Sequence, residues 1–149
     1  MAALDEAAAL AQELASEVAG AERRATPEAV HQLLLRLLGV AAGSAEVTAA
    51  LQDVPTGHAL LRFTDSPLAL AFDAGEGRLA VAAADPRGRG PKVDASAAVW
   101  LGLVGGTLRP WLAFTRGLVV CRAGLGELRW LQQVAERLQR GYADARAAV

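Results

Sequence analysis

The chain has 149 residues, 53% of them hydrophobic but only 5% aromatic, and its formal net charge at pH 7 is −1. This length suits one domain with one core, and the near-neutral charge excludes the electrostatic attraction that drives nucleic-acid binding. The single cysteine, Cys121, excludes an internal disulfide and favours a reducing compartment. Asp5 and Glu6 stand where a secretory signal would be basic, so the expected location is the cytoplasm.

Three helices are predicted in the first part of the chain. Residues 3–19 place small apolar side chains, mostly alanine, at helical spacing opposite acidic ones. Ser44 is the predicted cap of a short helix that Pro55 breaks.

The helix between them has the clearest pattern in the chain. Thr26 is a favoured N-cap residue, Pro27 suits the first turn, and Gly39 is expected to end the helix. Its apolar face comprises Val30, Leu33, Leu34, Leu37 and Leu38.

From His58 onward the hydrophobic period changes to two, which is typical of β-strands. Residues 65–67 and 74–77 are turn sequences, and connections this short predict an antiparallel meander of three strands. Residues 85–92 read as a loop, and a short fourth strand is expected at 93–95. The side chains expected to alternate inward are Ala59, Leu61 and Phe63, then Leu68, Leu70 and Phe72, then Leu79, Val81 and Ala83.

The last third divides into four predicted elements. These are a helix around Trp100, a short helix from Pro110, a strand at 118–122 and a final helix from about Gly126. Gly117 can supply the left-handed exit from the short helix. The pattern as a whole predicts an α+β fold, with an antiparallel-dominated sheet of about five strands covered by helices.

Residues 97–114 are apolar enough to be tested as a membrane span. Gly105, Gly106, Arg109 and Pro110 fall in the middle of this stretch. Lipid could not satisfy the backbone groups that such residues leave unpaired, so no membrane span is predicted.

Residues with catalytic or metal-binding chemistry are scattered along the chain. His31, His58 and Cys121 have no ligand spacing, so neither a metal site nor a cofactor is predicted. A strand followed by Gly124-Leu125-Gly126 resembles the start of a dinucleotide site, but Arg129 occupies the position of the third glycine. A non-catalytic protein is therefore expected. General acid–base chemistry is the alternative, because acidic residues cluster around the meander: Asp65, Asp73, Glu76, Asp85 and Asp94.

Large aromatic side chains are concentrated in the last third of the chain. Trp100, Trp111, Phe114 and Trp130 lie on segments separated by glycine. From the pattern alone, they either fill the space above the sheet or enclose an apolar cavity.

The order of elements from His58 onward is informative, and its most telling part is the C-terminal run. Val93-Asp94-Ala95-Ser96 precedes a helix that ends at Gly106, and Leu108-Arg109-Pro110, Ala113-Phe114-Thr115-Arg116-Gly117, Leu118 to Cys121 and Gly124 follow. This order resembles the sterol carrier protein 2 family. Residues 1–54 are predicted to form a helical preface longer than the resemblance covers, within a single expected domain over 1–149. The resemblance implies an α+β fold for that domain. It also implies non-catalytic binding and transport of a sterol, fatty acid or acyl lipid in an internal hydrophobic tunnel.

The resemblance also implies a kind of partner and a binding site. A hydrophobic small molecule is the expected partner, and transient membrane contact and a homodimer are both left open. The rival interpretation is an interaction or accessory module, for a homo-oligomer or a lipid-enzyme partner, with a filled core and no ligand. The expected tunnel lining comprises Trp100, Leu103, Val104, Trp111, Leu112, Phe114, Leu128 and Leu131.

Overall fold

The structure, a computed structural model, describes residues 26–105 and 107–147. The helix expected over residues 3–19 lies outside the described residues. The helices are α1 (Pro27–Ala41), α2 (Ala45–Ala50), α3 (Ala97–Gly105), α4 (Pro110–Thr115) and α5 (Leu125–Ala147). The strands are β1 (Gly57–Phe63), β2 (Ala69–Gly75), β3 (Arg78–Ala84), β4 (Lys92–Ala95) and β5 (Val119–Arg122).

Helix α1 begins where its cap residue predicts but extends further than expected. The Thr26 hydroxyl accepts a hydrogen bond from the Ala29 amide at 3.2 Å. Gly39 does not end the helix, because Ala41 is fully buried and its packing favours another half-turn. The five residues predicted for the apolar face, Val30, Leu33, Leu34, Leu37 and Leu38, are all buried.

The five strands form one mixed sheet in the order β3-β2-β1-β4-β5. The predicted antiparallel meander is confirmed for β1, β2 and β3, and β4 pairs antiparallel with β5. The pairing of β1 with β4 is parallel, with Leu61 opposite Val93. The sheet is therefore antiparallel-dominated, as predicted, but not purely antiparallel.

The parallel pair arises from the loop at 85–91, which carries the chain back from the β3 edge to the other side of β1. The Leu60 amide donates to the Pro91 carbonyl at 2.8 Å, so the loop's end is held against β1. The Arg62 guanidinium donates to the Pro86 carbonyl at 3.2 Å and holds the loop's start. Strand β4 consequently runs in the direction of β1.

The two faces of the sheet have different surroundings. The inner face, on which the helices pack, carries a row of successive cross-strand partners: Leu70, Leu61, Val93 and Cys121. The next row includes Arg62 and its partner across the strands, Asp94, on the outer face.

A charged cluster on the outer face connects three strands. Arg62 donates to both Asp94 carboxylate oxygens, at 2.6 and 2.7 Å, and Arg122 donates to the same carboxylate at 3.2 Å. The hydrogen bond from Arg62, opposed by burial and aided by Arg122, lowers the pKa of Asp94. The cluster therefore holds β4 between its neighbours.

The apolar stretch 97–114 is divided between α3 and α4. Within 26–105 and 107–147, no helix combines the length and hydropathy needed to cross a bilayer. Gly117 has a φ of 73° and follows α4, as predicted for a left-handed exit. The Leu118 amide then donates to the Ala113 carbonyl at 2.9 Å, which turns the chain into β5.

Candidate functional site

An apolar cavity of about 340 Å³ lies between the inner face of the sheet and helices α1, α3, α4 and α5. Pockets that bind small molecules are typically about 300–1,000 Å³, so this volume suits a small or partly inserted ligand. The sheet contributes Leu61, Phe72, Val93, Val119 and Cys121 to the lining. The helices contribute Leu34 and Leu38 of α1, Trp100, Leu103 and Val104 of α3, Pro110, Trp111 and Phe114 of α4, and Leu125, Leu128, Leu131, Val134, Ala135 and Leu138 of α5.

Seven of the eight residues expected to line a tunnel lie around this one cavity. Leu112 does not line it. Helix α4 is buried through Ala113, so Leu112 lies on its outer flank and is 39% exposed. The other seven are Trp100, Leu103, Val104, Trp111, Phe114, Leu128 and Leu131.

The floor of the cavity was not among the residues expected from sequence. Leu61, Phe72 and Val93 belong to the sheet, and Leu34 and Leu38 to α1. Their alternation and helical spacing predict that they face inward. Inward-facing residues of a filled core and of a cavity wall have the same pattern, so no sequence signal separates them.

The cavity opens to the surface between α4 and the start of α5. Trp111 is 56% exposed, Phe114 is 41% exposed and Leu125 is 82% exposed, although all three line the cavity. Trp111 and Phe114 contact each other, with ring centroids 6.1 Å apart. Large apolar side chains that face water favour contact with another apolar surface. This opening can therefore admit an apolar molecule.

Few polar groups border the cavity. Gln139 donates to the carbonyls of Leu103 and Leu108, both at 3.3 Å, and so ties α5 to the end of α3. Gln132 donates to Glu136 at 3.3 Å. Arg129 is exposed at the opening, and among the described residues it forms no salt bridge.

Two further polar groups are held against or near the cavity. The Trp100 indole donates to the Arg62 carbonyl at 3.1 Å, so its ring edge is fixed while the ring faces the cavity. Burial, with a smaller effect of the Asp94 charge, raises the pKa of the Cys121 thiol. This thiol is therefore neutral and weakly nucleophilic at neutral pH.

The two histidines lie outside the cavity lining. His31 is buried and its Nε2 contacts the Ala69 carbonyl at 3.0 Å. His58 pairs with Asp73 at 2.9 Å on the exposed side of β1. Over 26–105 and 107–147, no three His, Cys, Asp or Glu side chains come together as a metal-binding group.

Comparison with known proteins places the fold. No protein-family model matches this sequence, and no curated protein is detected with significant sequence similarity. A crystal structure of sterol carrier protein 2 superposes with a TM-score of 0.56 and 23% identity, covering 79% of this chain and 94% of that one. The UbiJ-SCP2 ubiquinone synthesis protein gives 0.55 and 14% identity, covering 79% and 95%.

A third match is to part of a larger enzyme. The inverting sec-alkylsulfatase Pisa1 from Pseudomonas sp. superposes with a TM-score of 0.52 and 14% identity, over 71% of this chain but only 16% of the enzyme. The protein therefore has the sterol carrier protein 2 fold. The resemblance inferred from the order of elements after His58 is confirmed at the level of the fold.

Proposed function

We propose that this chain is a non-catalytic lipid-binding domain that carries a sterol, fatty acid or other acyl lipid in the cavity between sheet and helices. The observation that carries the proposal is the cavity itself: about 340 Å³, lined almost wholly by apolar side chains, with Trp111, Phe114 and Leu125 of its lining exposed at the surface. The single cysteine is consistent with a reducing compartment, so the proposed setting is the cytoplasm.

The energetics suit a carrier that must also release its ligand. Each methylene removed from water contributes about 0.8 kcal/mol, so ten contribute about 8 kcal/mol. Association costs at least about 4 kcal/mol in lost translational and rotational freedom. The remainder corresponds to a weak or moderate affinity, and it requires no specific polar contact with the ligand.

The proposed ligand contacts are the seven expected residues that line the cavity, together with the sheet residues beneath them. Trp100 and Leu103 lie on α3, Leu128 and Leu131 on α5, and Val93 on the sheet. An acyl chain between these elements would keep most of its surface from water. Leu112 is excluded from this set because it lies outside the lining.

The matched structures support this proposal through their names. One is called a sterol carrier and another a ubiquinone synthesis protein, and both names concern water-insoluble molecules. The sulfatase match concerns a small part of an enzyme and supports no activity for this chain.

The proposal is tested by filling the cavity. Ala135 lines it and Ala143 is exposed on the same helix, so Ala135→Phe and Ala143→Phe add the same group inside and outside. The protein is purified gently, extracted with solvent and examined by mass spectrometry, and the binding of a fluorescent fatty acid is measured. We expect wild type and Ala143→Phe to bind, and Ala135→Phe to bind at least about tenfold more weakly, because it occupies ligand volume.

The rival interpretation gives different results in the same experiment. Wild-type protein that carries no lipid and does not bind the fluorescent fatty acid would refute the carrier. It would favour an interaction or accessory module, whose oligomeric state and partners then become the question.

A further inference from the structure

Helix α4 exposes large apolar side chains where a short surface helix would ordinarily carry polar ones. Trp111, Leu112, Phe114 and Thr115 are exposed, and only Ala113 of these successive residues is buried. Three of the four exposed positions are thus large and apolar. Leu125, at the start of α5, adds a fourth such residue at the same cavity opening. We call Trp111, Leu112, Phe114 and Leu125 the α4 surface.

The tryptophan of the α4 surface differs from the other two tryptophans. The indole N–H of Trp100 donates to the Arg62 carbonyl, and that of Trp130 donates to the Pro55 carbonyl at 2.6 Å. Trp111 makes no such bond with any described residue. A half-exposed tryptophan with a free N–H suits the boundary between water and lipid, where the ring is buried and the N–H stays hydrated.

Arginines flank the α4 surface. Residues 107–131 contain four arginines and one acidic residue, Glu127, in a chain whose net charge is −1. Arg109 and Arg116 flank α4, and Arg129 stands at the cavity opening. None of these three forms a salt bridge within the described part of the chain. Trp, Phe and Leu bordered by arginine are the side chains that bind anionic membrane surfaces.

We propose that the α4 surface docks on an anionic lipid bilayer, with Arg109, Arg116 and Arg129 against the head groups. A second copy of the chain fits less well, because a two-fold contact would bring these arginines against one another. If the cavity carries lipid, as proposed above, docking places its opening in the bilayer, and an acyl chain can enter without crossing water.

The charge part of the proposal is tested with Arg109→Gln combined with Arg116→Gln, neither of which lines the cavity. Co-sedimentation is measured with phosphatidylglycerol vesicles and with phosphatidylcholine vesicles. Each basic residue near an anionic surface is worth about 1 kcal/mol, so the double variant should bind phosphatidylglycerol about thirtyfold more weakly. Arg78→Gln with Arg89→Gln removes two exposed arginines elsewhere and should leave binding within about threefold of wild type.

The apolar part is tested with Leu112→Glu, whose matched control is Val120→Glu. Leu112 and Val120 are both exposed. Val120 lies between Val119 and Cys121, which line the cavity, so its side chain points from the outer face of the sheet. Leu112→Glu should weaken phosphatidylglycerol binding at least about tenfold. Val120→Glu makes the same change in charge and should have little effect.

Several outcomes would overturn the proposal. These are no vesicle binding by wild type, equal binding to both lipids regardless of salt, or Leu112→Glu and Val120→Glu behaving alike. Sedimentation showing a dimer that Leu112→Glu dissociates would assign the surface to a second copy instead. Binding of a fluorescent fatty acid without vesicles tests the cavity separately, so a protein that binds the fatty acid but no vesicle refutes the docking alone.

Discussion

The carboxylate of Asp94 is 12% exposed and accepts hydrogen bonds from Arg62 and Arg122. Because Arg62 lowers the pKa of Asp94 below its ordinary 3.8, the ion pair stabilises the fold above that pH and is lost as the pH falls through the folded-state pKa. Asp94→Asn should lower the free energy of unfolding at neutral pH by about 2 kcal/mol. Urea unfolding should show this difference narrowing below about pH 4.

A second aspartate provides the comparison for Asp94. Arg87 lowers the pKa of Asp85 to about 2, yet both side chains are exposed. Water screens an exposed pair, so Asp85→Asn should change the free energy of unfolding far less than Asp94→Asn. Equal losses in the two variants would contradict the structural role given to the Asp94 cluster.

Cys121 offers a probe of the cavity because it is the chain's only cysteine. Burial raises the pKa of its thiol, so alkylation by iodoacetamide should be slower than in urea-unfolded protein and should quicken as the pH rises. Saturating oleic acid should slow it at least a further fivefold, because an acyl chain would cover the sulfur. Mass spectrometry measures the rate, and no effect of oleic acid would contradict ligand binding beside Cys121.

At the scale of elements, two glycines of α5 predict opposite responses to the same substitution. A Cβ at Gly141 would lie 2.9 Å from the Val47 Cα of the α2 backbone, whereas at Gly126 it would meet nothing within 4 Å. Gly141→Ala should therefore lower the free energy of unfolding by about 1–2 kcal/mol through overpacking. Gly126→Ala should raise it by about 0.5 kcal/mol through helix propensity. Urea unfolding of the two variants checks both, and stabilisation by Gly141→Ala would contradict the close packing of α2 on α5.

Most elements could be predicted because their signals are local. The caps at Thr26 and Ser44 and the glycine at 117 each act within a few residues, and each is found where expected. The predicted end of α1 at Gly39 was wrong, because a glycine can remain helical when the next turn buries an apolar residue, here Ala41. In α4 the local pattern could not separate Leu112 from its apolar neighbours, since a six-residue helix has too few turns to define one face.

At the scale of the whole molecule, ligand binding should be coupled to stability. A ligand that binds only the folded state raises the free energy of unfolding by about 2.7 kcal/mol at a free concentration one hundred times its Kd. Oleic acid at that excess should therefore raise the urea midpoint of the wild type and of Ala143→Phe. At the same concentration of oleic acid, the urea midpoint of Ala135→Phe should rise less. An unchanged midpoint in all three proteins would argue against an internal site.

From the sequence by itself came the α+β class, the inward faces of α1 and the first three strands, and the resemblance to sterol carrier protein 2. These properties depend on periodicity, capping and turn residues, which act between near neighbours in the chain. Only the tertiary structure decided that β4 returns parallel to β1, that Leu112 lies outside the lining, and that Leu61, Val93 and Leu34 border an open volume. Whether inward-facing side chains meet or leave a space depends on how far apart the sheet and four helices are held, and no local pattern encodes that distance.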